Sequence, residues 1–287
     1  MSIPRDEILA RLRQKVAEGH PIIGGGAGIG LSAISSQDAG LDFIVVYNSG
    51  RYRMAGRSSM AGLMPYGDAN QIVMDMGREI LPVADRIPVV AGVCGTDPFR
   101  LMPQFIREVK EAGFSGVQNY PTVCLFEGII RANLEETGLG FDREVAMIHE
   151  AHRQDLFTAT YVANEDEAEA MAAAGADIVV PHMGLTTSGK IGARTALTLD
   201  EAKEKVALLA DAARRANPDV LIVAHGGPIF GPEEAREVIE QVPGVQGFLG
   251  ASSMERHPTE VAMVEHMKRY TEIRIPARDA QPASAGA

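Results

Sequence analysis

Eight short apolar runs alternate with helical patterns along this 287-residue chain, and this alternation constrains the fold more than any other feature. Repeated strand–helix units require parallel strands joined by right-handed crossovers. Eight such units make up a (β/α)8 barrel, the TIM barrel. We therefore predict one α/β domain of this type over residues 1–277, in preference to a doubly wound open sheet. The strands are predicted at residues 21–23, 42–47, 87–93, 115–119, 156–162, 177–181, 220–224 and 245–249.

The two ends of the chain differ from this repeating pattern. Residues 1–19 place Ile8, Leu12 and Val16 at helical spacing, which predicts an extra amphipathic helix before the first strand. Residues 278–287 are rich in alanine, proline, serine and glycine, so we expect a flexible, disordered tail.

The charge and composition narrow the classes of partner. A formal net charge of −11 without a basic stripe argues against a nucleic-acid surface. No run of about 18 apolar residues is present, so no membrane span is expected. The N-terminus lacks an apolar signal core, and two cysteines do not make a disulfide framework, so we expect a cytoplasmic protein.

Two connections exceed the usual length and are expected to be functional or to contact another subunit. Residues 51–68, after the second strand, carry several arginines and methionines, and a homo-oligomer is expected on this basis. Residues 184–198, after the sixth strand, resemble a phosphate-binding P-loop. However, Ile191 occupies the position where serine or threonine would bind Mg²⁺. We interpret this segment as a lid whose Lys190 closes over a substrate, and an ordinary solvated lysine is the alternative.

The candidate proton-transfer groups lie at strand ends and are Asp97, Tyr161, His182, His225 and Glu255. His182 and His225 follow the sixth and seventh strands, and we expect them two strands apart over the barrel mouth. Histidine titrates near neutral pH and is the usual group for proton transfer, although either residue alone could be structural. Asp97 follows the third strand and is expected to orient water or a metal. As one carboxylate among amide neighbours, Asp97 could hold Mg²⁺ only weakly.

Glycines and serines after the last two strands predict a phosphate site. Loops at this position of a barrel often bind phosphate through backbone N–H groups. The alternative is that small residues relieve crowding in tight turns. The residues concerned are Gly226, Gly227, Gly250, Ser252 and Ser253.

The glycine run after the first strand fits the dinucleotide fingerprint G-x-G-x-x-A at residues 28–33. A nucleotide site would also need an acidic residue after the second strand, where Asn48 stands instead. We therefore prefer a glycine turn, with Gly24, Gly26 and Asn48, that lets a small anion or ligand approach the barrel mouth.

Six segments carry a resemblance to the phosphoenolpyruvate hydrolase-like family of TIM barrels. They are DFIVVYNSGRYRMAGRSSMAGLMPYGDAN (42–70), VAGVCGTDP (90–98), GFSGVQNYPTV (113–123), PHMGLTTSGKIGA (181–193), AHGGPI (224–229) and GFLGASSMER (247–256). The resemblance implies kinship with the phosphoenolpyruvate mutase and isocitrate lyase superfamily, whose enzymes use Mg²⁺ and stabilise a pyruvate enolate. Only Asp97 and Lys190 match residues of that superfamily's metal and loop motifs.

Two functions follow as expectations. The first is a hydrolase or lyase of a small phosphorylated or phosphono 2-oxo acid, resembling phosphonopyruvate or phosphoenolpyruvate. The second is a regulatory barrel that binds a nucleotide or metabolite without turnover. The missing metal carboxylates motivate the second function. No lysine ends a predicted strand, which argues against a Schiff-base aldolase.

Overall fold

Eight parallel strands close into a barrel in which each strand pairs with its neighbours in chain order. The structure is a computed structural model that describes residues 2–187 and 189–275. The TIM-barrel prediction and the extra N-terminal helix are confirmed, whereas the predicted tail at 278–287 lies outside the described residues. The strands are β1 (Ile22–Gly26), β2 (Phe43–Val46), β3 (Val89–Val93), β4 (Gly116–Asn119), β5 (Phe157–Val162), β6 (Ile178–Pro181), β7 (Leu221–His225) and β8 (Gly247–Gly250).

Helices surround the barrel and fill the connections between its strands. They are α1 (Arg5–Ala17), α2 (Gly30–Asp38), α3 (Asn48–Met54), α4 (Ala69–Ile80), α5 (Met102–Ala112), α6 (Gly128–Glu136), α7 (Phe141–Arg153), α8 (Glu165–Ala173), α9 (Leu199–Ala216), α10 (Pro232–Gln241) and α11 (Arg256–Thr271). Two short 3-10 helices cover Ser59–Leu63 and Val123–Leu125. No helix in the described ranges is long and apolar enough to cross a membrane.

The interior of the barrel explains why β1 runs further than predicted. Phe43 and Phe157 pack edge to face inside the barrel, with ring centroids 5.8 Å apart. A Cβ atom on Gly24 would lie 2.4 Å from the Phe43 ring, so only glycine leaves room for this packing. The glycines at 24–26 therefore belong to the strand, and the glycine turn predicted there was placed too early in the chain.

Helix α1 covers the end of the barrel where the strands begin. The Ile3 amide donates to Ser115 Oγ (2.9 Å), Arg5 pairs with Asp177 (2.6 Å), and Lys15 pairs with Asp42 (2.7 Å). These three partners immediately precede β4, β6 and β2. Active sites of TIM barrels lie at the opposite end, where the strands finish. Closure of this end by α1 leaves the carboxyl ends of the strands as the place for a site.

The connection at residues 51–68 is more ordered than a plain loop. Helix α3 occupies its beginning, and a 3-10 helix lies further along. Helix α4, which we did not predict, follows it; Asp68 caps the helix by accepting a hydrogen bond from the Gln71 amide (2.9 Å). Val73, Met76 and Ile80 are buried at helical spacing, and this spacing was a readable signal for the helix.

Leu12→Ala should show how much the covering by α1 stabilises the barrel. Leu12 is buried in the core, and removing its side chain leaves a cavity. We expect the free energy of unfolding to fall by about 2–5 kcal/mol in urea titrations followed by circular dichroism. The exposed Leu208→Ala change on α9 is the control and should alter it by no more than about 0.5 kcal/mol. Equal effects of the two changes would contradict this role for α1.

Candidate active site

A cavity of about 250 Å³ opens at the carboxyl ends of the strands. Its wall combines aromatic rings, hydroxyl groups, two histidines and one arginine, and the described residues that line it include no aspartate or glutamate. Such a lining offers mainly hydrogen-bond donors, which favours an anion over a cation. The lining residues are Tyr47, Ser49, Arg53, Ser59, Met60, Tyr120, Leu125, Tyr161, His182, Gly184, Leu185, Thr186, His225, Ala251 and Ser252.

His182 and His225 lie side by side in this wall. They extend the pairing of β6 with β7, and their ring centroids are 4.7 Å apart. The expected separation of two strands was wrong, because the sixth and seventh strands are neighbours in the closed barrel. The ring of Tyr161, from β5, contacts both imidazoles at 4.8 Å between centroids. The structure thus brings together three of the candidate proton-transfer groups, His182, His225 and Tyr161.

Hydrogen bonds assign opposite proton roles to the two rings. His225 Nδ1 lies 2.6 Å from the Leu249 carbonyl oxygen, which only accepts, so Nδ1 carries the hydrogen. His225 Nε2 is then an acceptor, and the Tyr161 hydroxyl lies 3.3 Å away as its donor. His182 Nδ1 accepts from the Gly184 amide (3.0 Å), which places the hydrogen of the neutral ring on Nε2. The pair offers one acceptor nitrogen and one N–H donor.

Both histidines are neutral at pH 7. Burial lowers the pKa of His225 to about 4, against the raising effect of its hydrogen bond to the Leu249 carbonyl. Burial, with a smaller contribution from His225, lowers the pKa of His182 well below its usual value. A buried imidazole loses the hydration that stabilises its charged form.

Arg53 is the buried cation of the site, and the sequence analysis did not assign it a role. Its Nε and Nη2 atoms donate to Glu255 Oε2 (2.8 and 2.5 Å), and the two side chains are 1% and 2% exposed. Glu255 Oε1 accepts from the Gly28 amide (2.6 Å). Burial opposes the charge, but Glu255 and Tyr47 raise the pKa of Arg53, which stays protonated. Arg53 Nη1 is buried and has no hydrogen-bond partner among the described residues.

A chain of hydroxyl groups forms the side of the cavity next to Arg53. Ser49 Oγ donates to the Ser59 carbonyl (2.6 Å), so the Tyr120 hydroxyl, 2.5 Å from Ser49 Oγ, donates to it. Ser59 Oγ lies 3.2 Å from Ser252 Oγ. Burial raises the pKa of Tyr120 and of Tyr161 above the ordinary value, so both phenols stay protonated at neutral pH.

The residues predicted to hold phosphate lie in the turns after β7 and at the end of β8, and they differ in how close they are to the cavity. Ser252 lines the cavity. Gly226 and Gly227 form the turn after β7 with φ values of 78° and 58°, a left-handed conformation that favours glycine. The Gly227 amide donates to the Gly184 carbonyl oxygen (2.8 Å) and so supports the loop after β6. Gly250 is the last residue of β8, and Ser253 lies in the turn that follows it. Both are next in sequence to residues that line the cavity. Phosphate binding by this set stays a prediction.

Asp97 and Lys190 lie away from the cavity wall. The Asp97 carboxylate accepts from Asn70 Nδ2, the Phe99 amide and Arg100 Nη1, which keep its pKa below the ordinary value despite partial burial. Lys190 is exposed, and its amide donates to Glu260 Oε2 (3.2 Å). The catalytic roles given to these two residues therefore need movement from the positions that the structure shows.

Three further residues predicted to bind a ligand, Asn48, Gly26 and Gly24, pack behind the residues that line the cavity. Asn48 Nδ2 donates to the Gly62 carbonyl (2.9 Å) beneath Ser49. A Cβ on Gly26 would lie 3.0 Å from Arg53 Nη2, so this glycine makes room for the guanidinium group. Gly24 packs deeper, against Phe43. A direct contact of these three residues with a ligand stays a prediction.

The donor atoms at the mouth do not match a Mg²⁺ site, which needs several oxygen ligands and usually carboxylates. The Asp97 oxygens are engaged as described above. The buried Glu144 carboxylate accepts from Asn119 Nδ2, Thr122 Oγ1 and the Val123 amide, each at 2.7 Å. Over residues 2–187 and 189–275, no group of three or more histidine, cysteine, aspartate or glutamate side chains is arranged to bind a metal.

Comparison with known sequences connects this barrel to a family. Residues 7–273 match the sequence model of the family described as phosphoenolpyruvate hydrolase-like. The chain belongs to that family. Among its relatives is the "ToMV susceptible protein tm-1(GCR26)" of Solanum lycopersicum, which is 55% identical over 266 residues. The match covers 93% of this chain and 35% of the relative, so the chain spans about a third of that protein's length.

Solved structures share the fold of this family member at low sequence identity. A 2,3-dimethylmalate lyase of the PEP mutase/isocitrate lyase superfamily matches with a TM-score of 0.60 and 17% identity, covering 97% of this chain and 88% of the lyase. A phosphonopyruvate hydrolase in complex with oxalate and Mg²⁺ matches with a TM-score of 0.57 and 16% identity, covering 98% and 93%. At these identities the likeness extends to the fold.

His225→Gln should change how stability depends on pH. Between about pH 6.5 and pH 4 the unfolded chain binds a proton at His225 and the folded chain does not, so stability falls as the pH drops through this window. We expect protonation of His225 in the unfolded chain to lower the free energy of unfolding by about 2 kcal/mol between pH 7 and pH 5. The loss should be absent in the variant. Urea unfolding at both pH values measures it, with the exposed His149→Gln as control. An unchanged loss in His225→Gln would contradict the assigned protonation state.

Proposed function

We propose that this chain is a hydrolase or lyase of a small phosphorylated or phosphono 2-oxo acid, resembling phosphonopyruvate or phosphoenolpyruvate. The observation that carries the proposal is the pair of neutral histidines with opposite proton roles in a buried, carboxylate-free cavity. Membership in the phosphoenolpyruvate hydrolase-like family supports it.

Cleavage of such a substrate builds negative charge on an enolate or phosphoryl oxygen, and fixed donors in a dry site stabilise that charge. The His182 Nε2–H group would donate to this oxygen. His225 Nε2 would accept a proton from the attacking water, directly or through the Tyr161 hydroxyl at 3.3 Å. The water oxygen bonds to phosphorus as the bond to the leaving group breaks, and the proton that His225 accepted passes to the leaving group.

The phosphoryl end of the substrate would lie at Ser252, with Ser253, Gly250, Gly226 and Gly227 supplying further donors as the loops adjust. Lys190 would close over the site from the connection at residues 184–198. No step is assigned to Mg²⁺, because the donor atoms at the mouth do not fit it. Asp97 would serve to hold Arg100 and the turn after β3.

A second candidate is a regulatory barrel that binds a nucleotide or phosphorylated metabolite without turnover. The specific observation in its favour is that the described part of the chain holds no cluster of metal-binding side chains, whereas the phosphonopyruvate hydrolase complex contains Mg²⁺. The two candidates share the cavity and differ in whether product forms.

Titration calorimetry with phosphonopyruvate, phosphoenolpyruvate and ATP, with and without Mg²⁺, separates the candidates when released pyruvate and phosphate are assayed in the same samples. We expect product release that His225→Ala abolishes while the circular dichroism spectrum is retained. His149→Ala, on the exposed face of α7, should keep full turnover. Binding of ATP without any product would favour the regulatory barrel, and unchanged turnover in His225→Ala would remove His225 from the mechanism.

We also propose that the chain forms a homo-oligomer through α11. Of its 16 residues only Arg256 is buried, and an isolated helix of this length is marginal in water, so a packing partner is needed. A second copy would cover an apolar surface made of Val261, Met263, Val264, Met267 and Tyr270.

Light scattering after size-exclusion chromatography should give at least twice the chain mass of 30.7 kDa. Met267→Asp should shift the distribution toward the single chain, because a charge would be buried in the contact. Arg269→Asp, on the opposite side of the same helix, is the control for charge alone. A single chain at all concentrations would contradict the oligomer.

A further inference from the structure

We propose that Arg53 anchors the carboxylate of the ligand in the mouth cavity and that Glu255 positions Arg53 for this purpose. The proposal rests on the cavity being the ligand site of the proposed function, and it assigns the chemical group that the cavity recognises.

Among the described residues, only one edge of the Arg53 guanidinium group has hydrogen-bond partners. Its Nε and Nη2 atoms face a single carboxylate oxygen of Glu255, whereas Nη1 is buried without a partner in the described part of the chain. Buried polar groups nearly always have a hydrogen-bond partner, and an unmatched one at a cavity wall calls for an acceptor from the ligand. Nη1, with the adjacent hydrogen of Nη2, forms a planar edge suited to a carboxylate.

Arg53 is held in place from three sides. Glu255 Oε1 is fixed by the Gly28 amide (2.6 Å), so the carboxylate that grips Arg53 is itself anchored to the loop after β1. The centroid of the Tyr47 ring lies 5.5 Å from Arg53 Cζ, and Gly26 lies so close to Nη2 that a Cβ there would be 3.0 Å from it. An anchor held in this way loses little freedom when a ligand binds, so it favours a defined ligand orientation.

The charges near Arg53 favour a monoanionic carboxylate over a phosphate dianion. Glu255 already compensates one positive charge, and the side chains of His182, His225, Tyr120 and Tyr161 are neutral. A carboxylate adds one negative charge to this low-dielectric site, whereas a phosphate dianion would add two. The phosphoryl end of a 2-oxo acid would then lie toward the hydroxyl groups of Ser59 and Ser252, 3.2 Å apart.

The first test needs no mutation. Titration calorimetry on the wild-type chain compares pyruvate, its neutral analogue pyruvamide, and inorganic phosphate. We expect pyruvate to bind at least about tenfold more tightly than pyruvamide, because a charged acceptor forms the stronger bond with Nη1. Equal affinities of pyruvate and pyruvamide, or tighter binding of phosphate than of pyruvate, would overturn the assignment of a carboxylate.

The second test is Arg53→Lys, which keeps a positive charge beside Glu255 but removes the planar edge. We expect pyruvate affinity to fall about 10- to 100-fold and the preference over pyruvamide to shrink. Arg131→Lys is the matched control, since Arg131 pairs with the buried Glu167 (2.7 Å) outside the cavity, and it should leave pyruvate binding unchanged. Circular dichroism and thermal unfolding establish that each variant is folded. If Arg53→Lys is unfolded, the ligand comparison on the wild-type chain decides alone.

Pyruvate binding and phosphonopyruvate turnover separate the anchoring role of Arg53 from the proposed reaction. Pyruvate binding that depends on Arg53, without turnover of phosphonopyruvate, would support the anchor and remove the reaction. Turnover with unchanged KM in folded Arg53→Lys would support the reaction and remove the anchor.

Discussion

The buried ion pair of Arg53 and Glu255 ties together the loops on which the mouth of the barrel depends. Arg53 belongs to α3, after β2, and Glu255 ends the turn after β8, while Gly28 of the loop after β1 holds the second carboxylate oxygen. The pair thus crosses the seam where the first and last strands meet. Removing one partner of such a pair leaves an uncompensated charge, which typically costs about 3–5 kcal/mol. The positive charge of Arg53 also makes the cavity favour an anionic ligand.

Burial governs the chemistry of the remaining groups at the mouth. The same loss of water that lowers the pKa values of His182 and His225 raises those of Tyr120 and Tyr161. These four side chains are therefore neutral near pH 7, and selectivity rests on the placement of donors and acceptors. This arrangement differs from a metal centre, where carboxylates gather around a cation.

The sequence predicted the barrel well because strand burial and helix periodicity are local signals that recur eight times. It also predicted that His182, His225 and Ser252 lie at the mouth, since residues that end parallel strands share one edge. It could not identify Arg53 as a residue of the site, because an arginine in a long connection is usually solvated. Arg53 is buried only once β1 and β8 pair and bring the surrounding loops together. A position after a strand also does not reveal a residue's neighbours, so the sequence could not show that Arg100 donates to the Asp97 carboxylate. The catalytic roles of Asp97 and Lys190 stay predictions.

Helix α1 has a consequence for the order in which the chain assembles. Its partners precede β2, β4 and β6, and the Arg5–Asp177 contact joins residues 172 positions apart. Contacts of such long range form late, because the intervening chain must first be ordered. During synthesis α1 emerges before these partners, and more than half of the barrel must follow before all of them exist. Its docking then reports that β2, β4 and β6 have reached their places, so protection of the α1 amides marks the point at which these three strands are in position.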